Sequence, residues 1–211
     1  MMKPAPGRVL LFAALLALSG CGASPPPRYH ALRSAPAPTD GGTAAMLIEV
    51  LPVAVPQRLD RDALVLGGGG ADPLEVREGD RWAAPLADEM RQLVADALWQ
   101  RLHAADIYRA PVSPGSSPLP HYRVALRVEH FDVFPGRRAV VEGSWTARRL
   151  PQGTPVACRI GFAMPVLDRS SDAAVAALAD GASRLATALA KSLERLDHGD
   201  SNPCGGEDGA T

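Results

Sequence analysis

Residues 121–134 read His-Tyr-Arg-Val-Ala-Leu-Arg-Val-Glu-His-Phe-Asp-Val-Phe, and Pro135-Gly136 follows. Tyr122, Val124, Leu126 and Val128 share one parity; Arg123, Arg127 and Glu129 share the other. Side chains of a strand alternate between faces, so the pattern predicts a half-buried strand ended by a turn. It recurs twice. Ala139 to Arg149 sets Val141, Trp145 and Ala147 against Glu142, Ser144 and Arg148. After Gln152-Gly153, Val156 to Met164 puts Val156, Cys158, Ile160 and Phe162 on one face. Three amphipathic strands joined by tight turns predict an antiparallel meander.

Two helices flank this block. Over 85–105, Leu86, Met90, Leu93, Val94, Leu98 and Leu102 recur at spacings of three and four, with Pro85 suited to the first helical position. Over 172–197, Val175, Leu178, Ala182, Leu185, Leu189 and Leu193 do the same. Ser170 or Ser171 can cap the second helix, and Gly199 can end it. Apolar stripes and apolar strand faces must cover each other. The expected fold is therefore α+β: a two-layer sandwich, a mainly antiparallel sheet packed against two long helices. The domain spans 44–199, and the polar, Gly-rich residues 200–211 are expected to form a flexible tail.

Upstream, Met46 to Val55 is an apolar strand candidate in which Pro52 argues for an edge or a bulge. Short strands are expected at Ala63 to Leu66 and Leu74 to Arg77. Gly67–Gly70 between them lacks a following Lys-Ser/Thr and any Gly-x-Gly-x-x-Gly spacing. A hairpin loop is expected there, and no phosphate cradle.

The N-terminus reads as an address. Lys3 and Arg8 precede Val-Leu-Leu-Phe-Ala-Ala-Leu-Leu-Ala-Leu at 9–18, too short to span a bilayer and fitting a secretory signal. Leu18-Ser19-Gly20-Cys21 looks like a bacterial lipobox, so 1–20 are expected to be removed and Cys21 lipidated. Two or more acyl chains anchor stably. Gly22, in place of Asp, reads as sorting to the periplasmic face of the outer membrane. Residues 21–43, with Pro25-Pro26-Pro27, Pro36, Pro38 and Gly41-Gly42, form a linker. No later segment is expected to span a bilayer.

Chemistry is sparse. With 22 Lys+Arg against 23 Asp+Glu and a net charge of -1, no nucleic-acid partner is expected. There is no Gly-x-Ser-x-Gly elbow, and His30, His103, His121, His130 and His198 show no compact ligand spacing. His121 and His130 have opposite parity on one strand, which is expected to send them to opposite faces. No catalytic residue, metal or cofactor is assigned, and the chain is not expected to be an enzyme. Cys158 and Cys204 could pair in an oxidising periplasm; parity also suits Cys158 as a buried free thiol.

In order along the chain stand a lipobox, Tyr29, Val53-Ala54-Val55-Pro56-Gln57-Arg58-Leu59-Asp60-Arg61 and Arg81-Trp82-Ala83-Ala84-Pro85-Leu86. Tyr122 to Phe131, a strand with Trp145 and an Ala/Leu-rich helix follow. This order resembles the PqiC/YmbA family, the ABC-type transport auxiliary lipoproteins, and Gly67–Gly70 and the Cys-containing tail depart from it. The resemblance implies an outer-membrane lipoprotein that docks onto an inner-membrane-anchored MCE-domain protein and supports trans-envelope lipid transport and membrane integrity. It also implies a homo-oligomer that can form a ring. Asp60, Arg61, Arg81 and Trp82 are then candidates for the interface or for a structural motif, with Trp82 stapling the helix start to the sheet. The alternative is a stand-alone lipid- or amphiphile-binding periplasmic lipoprotein.

Overall fold

The computed structural model describes residues 25–32, 42–68, 73–113 and 116–205. Among them are eight strands: β1 (Arg28–His30), β2 (Met46–Val50), β3 (Ala63–Leu66), β4 (Glu75–Trp82), β5 (Ala104–Asp106), β6 (His121–Phe134), β7 (Arg138–Arg149) and β8 (Val156–Pro165). Two α-helices join them, α1 (Leu86–Leu102) and α2 (Ser171–Asp197). A five-stranded sheet has the order β5-β2-β6-β7-β8, and a three-stranded sheet the order β1-β4-β3. The expected two-layer α+β architecture is present, with the meander β6-β7-β8 antiparallel throughout. The remaining pairings are more mixed than expected: β2 lies parallel to both β5 and β6, and β1 lies parallel to β4.

β6 organises the molecule because it is 14 residues long. β2 covers the first part of its free edge, from Leu47↔His121 to Val50↔Val124. Single bridges Ala54↔Arg127 and Gly67↔Val133 then carry the edge onward to the small sheet. Pro52 therefore ends β2 inside the sheet, and does not mark an outer strand. A bulge between Val128 and His130 inserts one residue and shifts the parity. Beyond it Phe131 and Val133 are the residues facing the core, paired with Val141 and Ala139. The same shift puts His130 on the outer face with His121, so the expectation of opposite faces is corrected. They still stand nine positions apart along the strand.

α1 ends earlier than its periodicity suggests. His103 adopts the left-handed conformation (φ 49°, ψ 38°) and closes the helix through its backbone N–H. His is among the non-glycine residues that tolerate this region. Ala104–Asp106 is thereby freed to form β5 beside β2. Arg81-Trp82 closes β4 and does not open α1; Pro85 is the N-cap.

α2 lies across β7, flanked by β6 and β8. Ser170 caps it by accepting from the Ala173 N–H (3.1 Å). Leu178, Leu185, Leu189 and Leu193 are fully buried against Tyr122, Val141 and Trp145 in one core. By length and mean hydropathy (1.2) α2 is apolar enough to cross a membrane, contrary to expectation. More than half of that apolar window is buried in the fold, as in a core helix.

Candidate functional site

Cys21 and most of the 21–43 linker lie outside the described residues, which begin at Pro25. Among the described residues β1 comes first, and a buried carboxylate holds it. Asp80 on β4 receives Arg28 Nη2 (2.8 Å), His30 Nε2 (2.8 Å) and the Ser171 hydroxyl at the start of α2 (2.6 Å). Arg28 also reaches Asp172 (3.2 Å). Burial pushes the Asp80 carboxyl up. The hydrogen bonds from Ser171 and His30 and the charge of Arg28 together outweigh that, and its pKa falls below the ordinary 3.8. Ser, His and Asp meet here in the wrong order for a nucleophile. The carboxylate stands between the other two, so the Ser171 hydroxyl donates its hydrogen bond to Asp80 and does not reach the His30 imidazole that would act as its base. The cluster is a clasp: it pins β1 to both β4 and α2.

The four motif residues lie on neighbouring segments, since the Trp82 N–H donates to the Asp62 carbonyl (2.8 Å), but they differ in burial. Asp60 and Arg61 are exposed in the turn after a 3-10 segment, Gln57–Leu59. Arg81 is half-buried and pairs in register with Tyr29 on one side and Ala63 on the other. Trp82 is buried, with its ring edge against Phe131 (6.2 Å between centroids). Trp82 is therefore packed as a structural residue. Tyr29, 65% exposed, stands beside Arg81 on the outer strand of the small sheet.

The outer face of the large sheet is a lattice of polar and charged pairs. Glu49 takes Arg123 (2.6 Å), with His121 Nε2 standing 3.2 Å away, Asp132 takes Arg58 (2.6 Å) and lies beside His130 (2.8 Å), and Glu142 takes Arg159. On the core side, the Tyr122 hydroxyl donates to Asp197 (2.7 Å). Burial, then that carboxylate, drives its pKa well above the usual 10. Among the described residues no three His, Cys, Asp or Glu side chains converge as a metal site.

Cys158 and Cys204 stand with Cα atoms 5.3 Å apart and sulfurs at bonding distance. Ser192 of α2 donates to the Cys158 sulfur (3.4 Å) and accepts from Trp145 Nε1 (3.4 Å). Residues 200–205 thus fold back, and Pro203 is buried. The flexible tail expected from residue 200 is docked over this part; 206–211 lie outside the described residues. Beside the cysteines, a half-open groove of about 370 Å³ runs between β8 and α2. Trp145, Ile160 and Phe162 form its floor, and Arg184, Lys191 and Arg195 its helix side. Sequence patterns gave the faces of β8 and α2 but not this groove, which depends on where the helix axis lies.

The family model for the "ABC-type transport auxiliary lipoprotein component" matches residues 30–190, most of the chain. The chain belongs to this family. Its partner is accordingly a transporter, and its role as an auxiliary lipoprotein is membrane-associated. Among solved structures it is similar to protein XCC0632 from Xanthomonas campestris, of family DUF330. Identity is 19% and the TM-score 0.62, over 83% of this chain and 99% of that one. An uncharacterized protein is similar at 19% identity and TM-score 0.61, over 80% of this chain and 99% of that one. At such identity the likeness concerns the fold. No curated protein matches the chain.

Proposed function

We propose that this chain is an outer-membrane-anchored periplasmic lipoprotein that serves as the docking subunit of an MCE-type trans-envelope lipid transport system supporting membrane integrity. The observation that carries the reading is the family match over 30–190. The lipobox ending at Cys21 supplies the anchor, and Gly22 directs it to the outer membrane. The chain performs no bond chemistry in this reading; it binds, positions and bridges. Asp60, Arg61 and Arg81, with the neighbouring Tyr29, supply a docking edge, while buried Trp82 holds that edge in shape. Copies associate, and a ring would place several edges around one conduit. Cys158 and Cys204 form a disulfide in the periplasm.

The test is a crosslinking pull-down of the lipidated protein from envelopes, with Cys21→Ala as control. Recovery of an inner-membrane-anchored MCE-domain protein, reduced in the control, is expected. Clean recovery of the lipoprotein without any such partner would overturn the docking role and leave the stand-alone lipid- or amphiphile-binding reading.

A further inference from the structure

We propose that the groove between β8 and α2 is a binding site for one acyl chain bearing an anionic head. The inference rests on the folded domain and does not depend on the transporter partner.

The groove exists because α2 is seated over β7 and leaves the inner face of β8 partly uncovered. Gly181 faces Met164 and Val141, and Leu185 sits on Gly143, which together bring the helix down over the centre of the sheet. Ile160 and Phe162 share the inward parity of buried Cys158 and Met164, yet both remain only half-buried. Two large apolar side chains on a core-facing parity, open to one side, form a surface that water solvates poorly. Pro203 and Cys204 fold against the same groove.

Its size suits a small ligand. A cleft of about 370 Å³ lies in the roughly 300–1,000 Å³ range of small-molecule sites. At roughly 30 Å³ per water-sized unit it holds on the order of a dozen methylenes. That is one chain of medium length.

Its charge selects the head. Arg184, Lys191 and Arg195 recur along α2 at spacings of seven and four, which sets them on the groove side of the helix. Arg184 pairs with Asp180 one turn earlier (3.1 Å), an exposed pair that leaves the guanidinium able to share a second anion. Every charged residue lining the groove is basic. A neutral amphiphile would use only the apolar floor. A carboxylate or phosphate head on the chain uses both.

The test uses the full lipidated protein in envelopes and a photoactivatable twelve-carbon fatty acid as probe. The expected result is saturable labelling mapped to residues 156–165 and 183–195, displaced by excess laurate and at least tenfold less by dodecanol. Ala188→Trp, which fills the groove from the helix side, should abolish the labelling. Lys191→Glu with Arg195→Glu should weaken it about tenfold or more while leaving the groove open. Both variants are first shown to keep wild-type circular dichroism and urea midpoint, and if Ala188→Trp misfolds, Thr187→Phe takes its place. Labelling that is diffuse, non-saturable or unchanged in the groove-filling variant would overturn the site. Dodecanol competing as well as laurate would overturn the anionic selectivity.

Discussion

Asp80 shows how one residue can decide whether an element stays docked. β1 is three residues long and pairs with one neighbour, so its ladder alone is marginal. The carboxylate adds charge-assisted bonds from Arg28 and His30 and ties in Ser171. Asp80→Asn keeps the shape but removes the charge, and is expected to cost about 1–3 kcal/mol, with β1 the first part to loosen. The pH dependence has a definite sign. A carboxyl whose folded pKa is lowered contributes stability above its ordinary value of 3.8 and loses that contribution as pH falls through the folded value. Melting curves taken from pH 6 down to pH 3 check this. The wild type should lose more stability below pH 4 than Asp80→Asn, and parallel curves would show that the clasp contributes nothing.

At the scale of elements, the close seating of α2 on the sheet depends on two missing side chains. A Cβ on Gly181 would stand 2.8 Å from a Val141 methyl and 2.2 Å from the Met164 methyl; one on Gly143 would stand 2.8 Å from Leu185. Met164 can swing away, but Val141 is β-branched and held in the sheet. Gly181→Ala gains about 1 kcal/mol of helix propensity, and overpacking of about 1–3 kcal/mol opposes it. A net loss of about 1 kcal/mol is expected, read as a lower urea midpoint; a higher midpoint would mean the helix lifts at no cost. Sequence logic succeeds or fails at this scale for identifiable reasons. The faces of β7 and β8 and the stripe of α2 were legible because burial on one side imposes a period. The bulge after Val128 was not, since one inserted residue reverses parity without changing composition. β5 was hidden by the alanines at 104 and 105, which carry the helical pattern past His103, where the helix ends. β1 and its clasp required partners 50 and more residues away, beyond any local pattern. Of the site residues, Trp82 was legible as a large apolar residue, but its burial against Phe131 comes from the joining of two sheets.

At the scale of the whole molecule, both ends of the described domain are fastened to its body. Cys21 precedes Arg28 by seven residues, a reach of at most about 25 Å at ~3.6 Å per residue. With Cys21 lipidated as proposed, a docked β1 would keep the domain close to its bilayer. At the other end, Cys204 returns the chain to Cys158 after α2 has finished, beside the groove floor and the Trp145–Ser192 contact. A bond across 46 residues restricts the unfolded chain by about 4 kcal/mol in the loop-entropy account. It also holds Pro203 against β8. The double variant Cys158→Ser/Cys204→Ser is expected to lose up to that amount in urea unfolding, and reduction of the wild type should reproduce the loss. Non-reducing mass analysis of periplasmic protein should show residues 158 and 204 in one linked peptide pair. Two alkylatable thiols in protein taken directly from the periplasm would show that these cysteines remain free there, leaving the fold-back of 200–205 to Pro203 and its backbone alone.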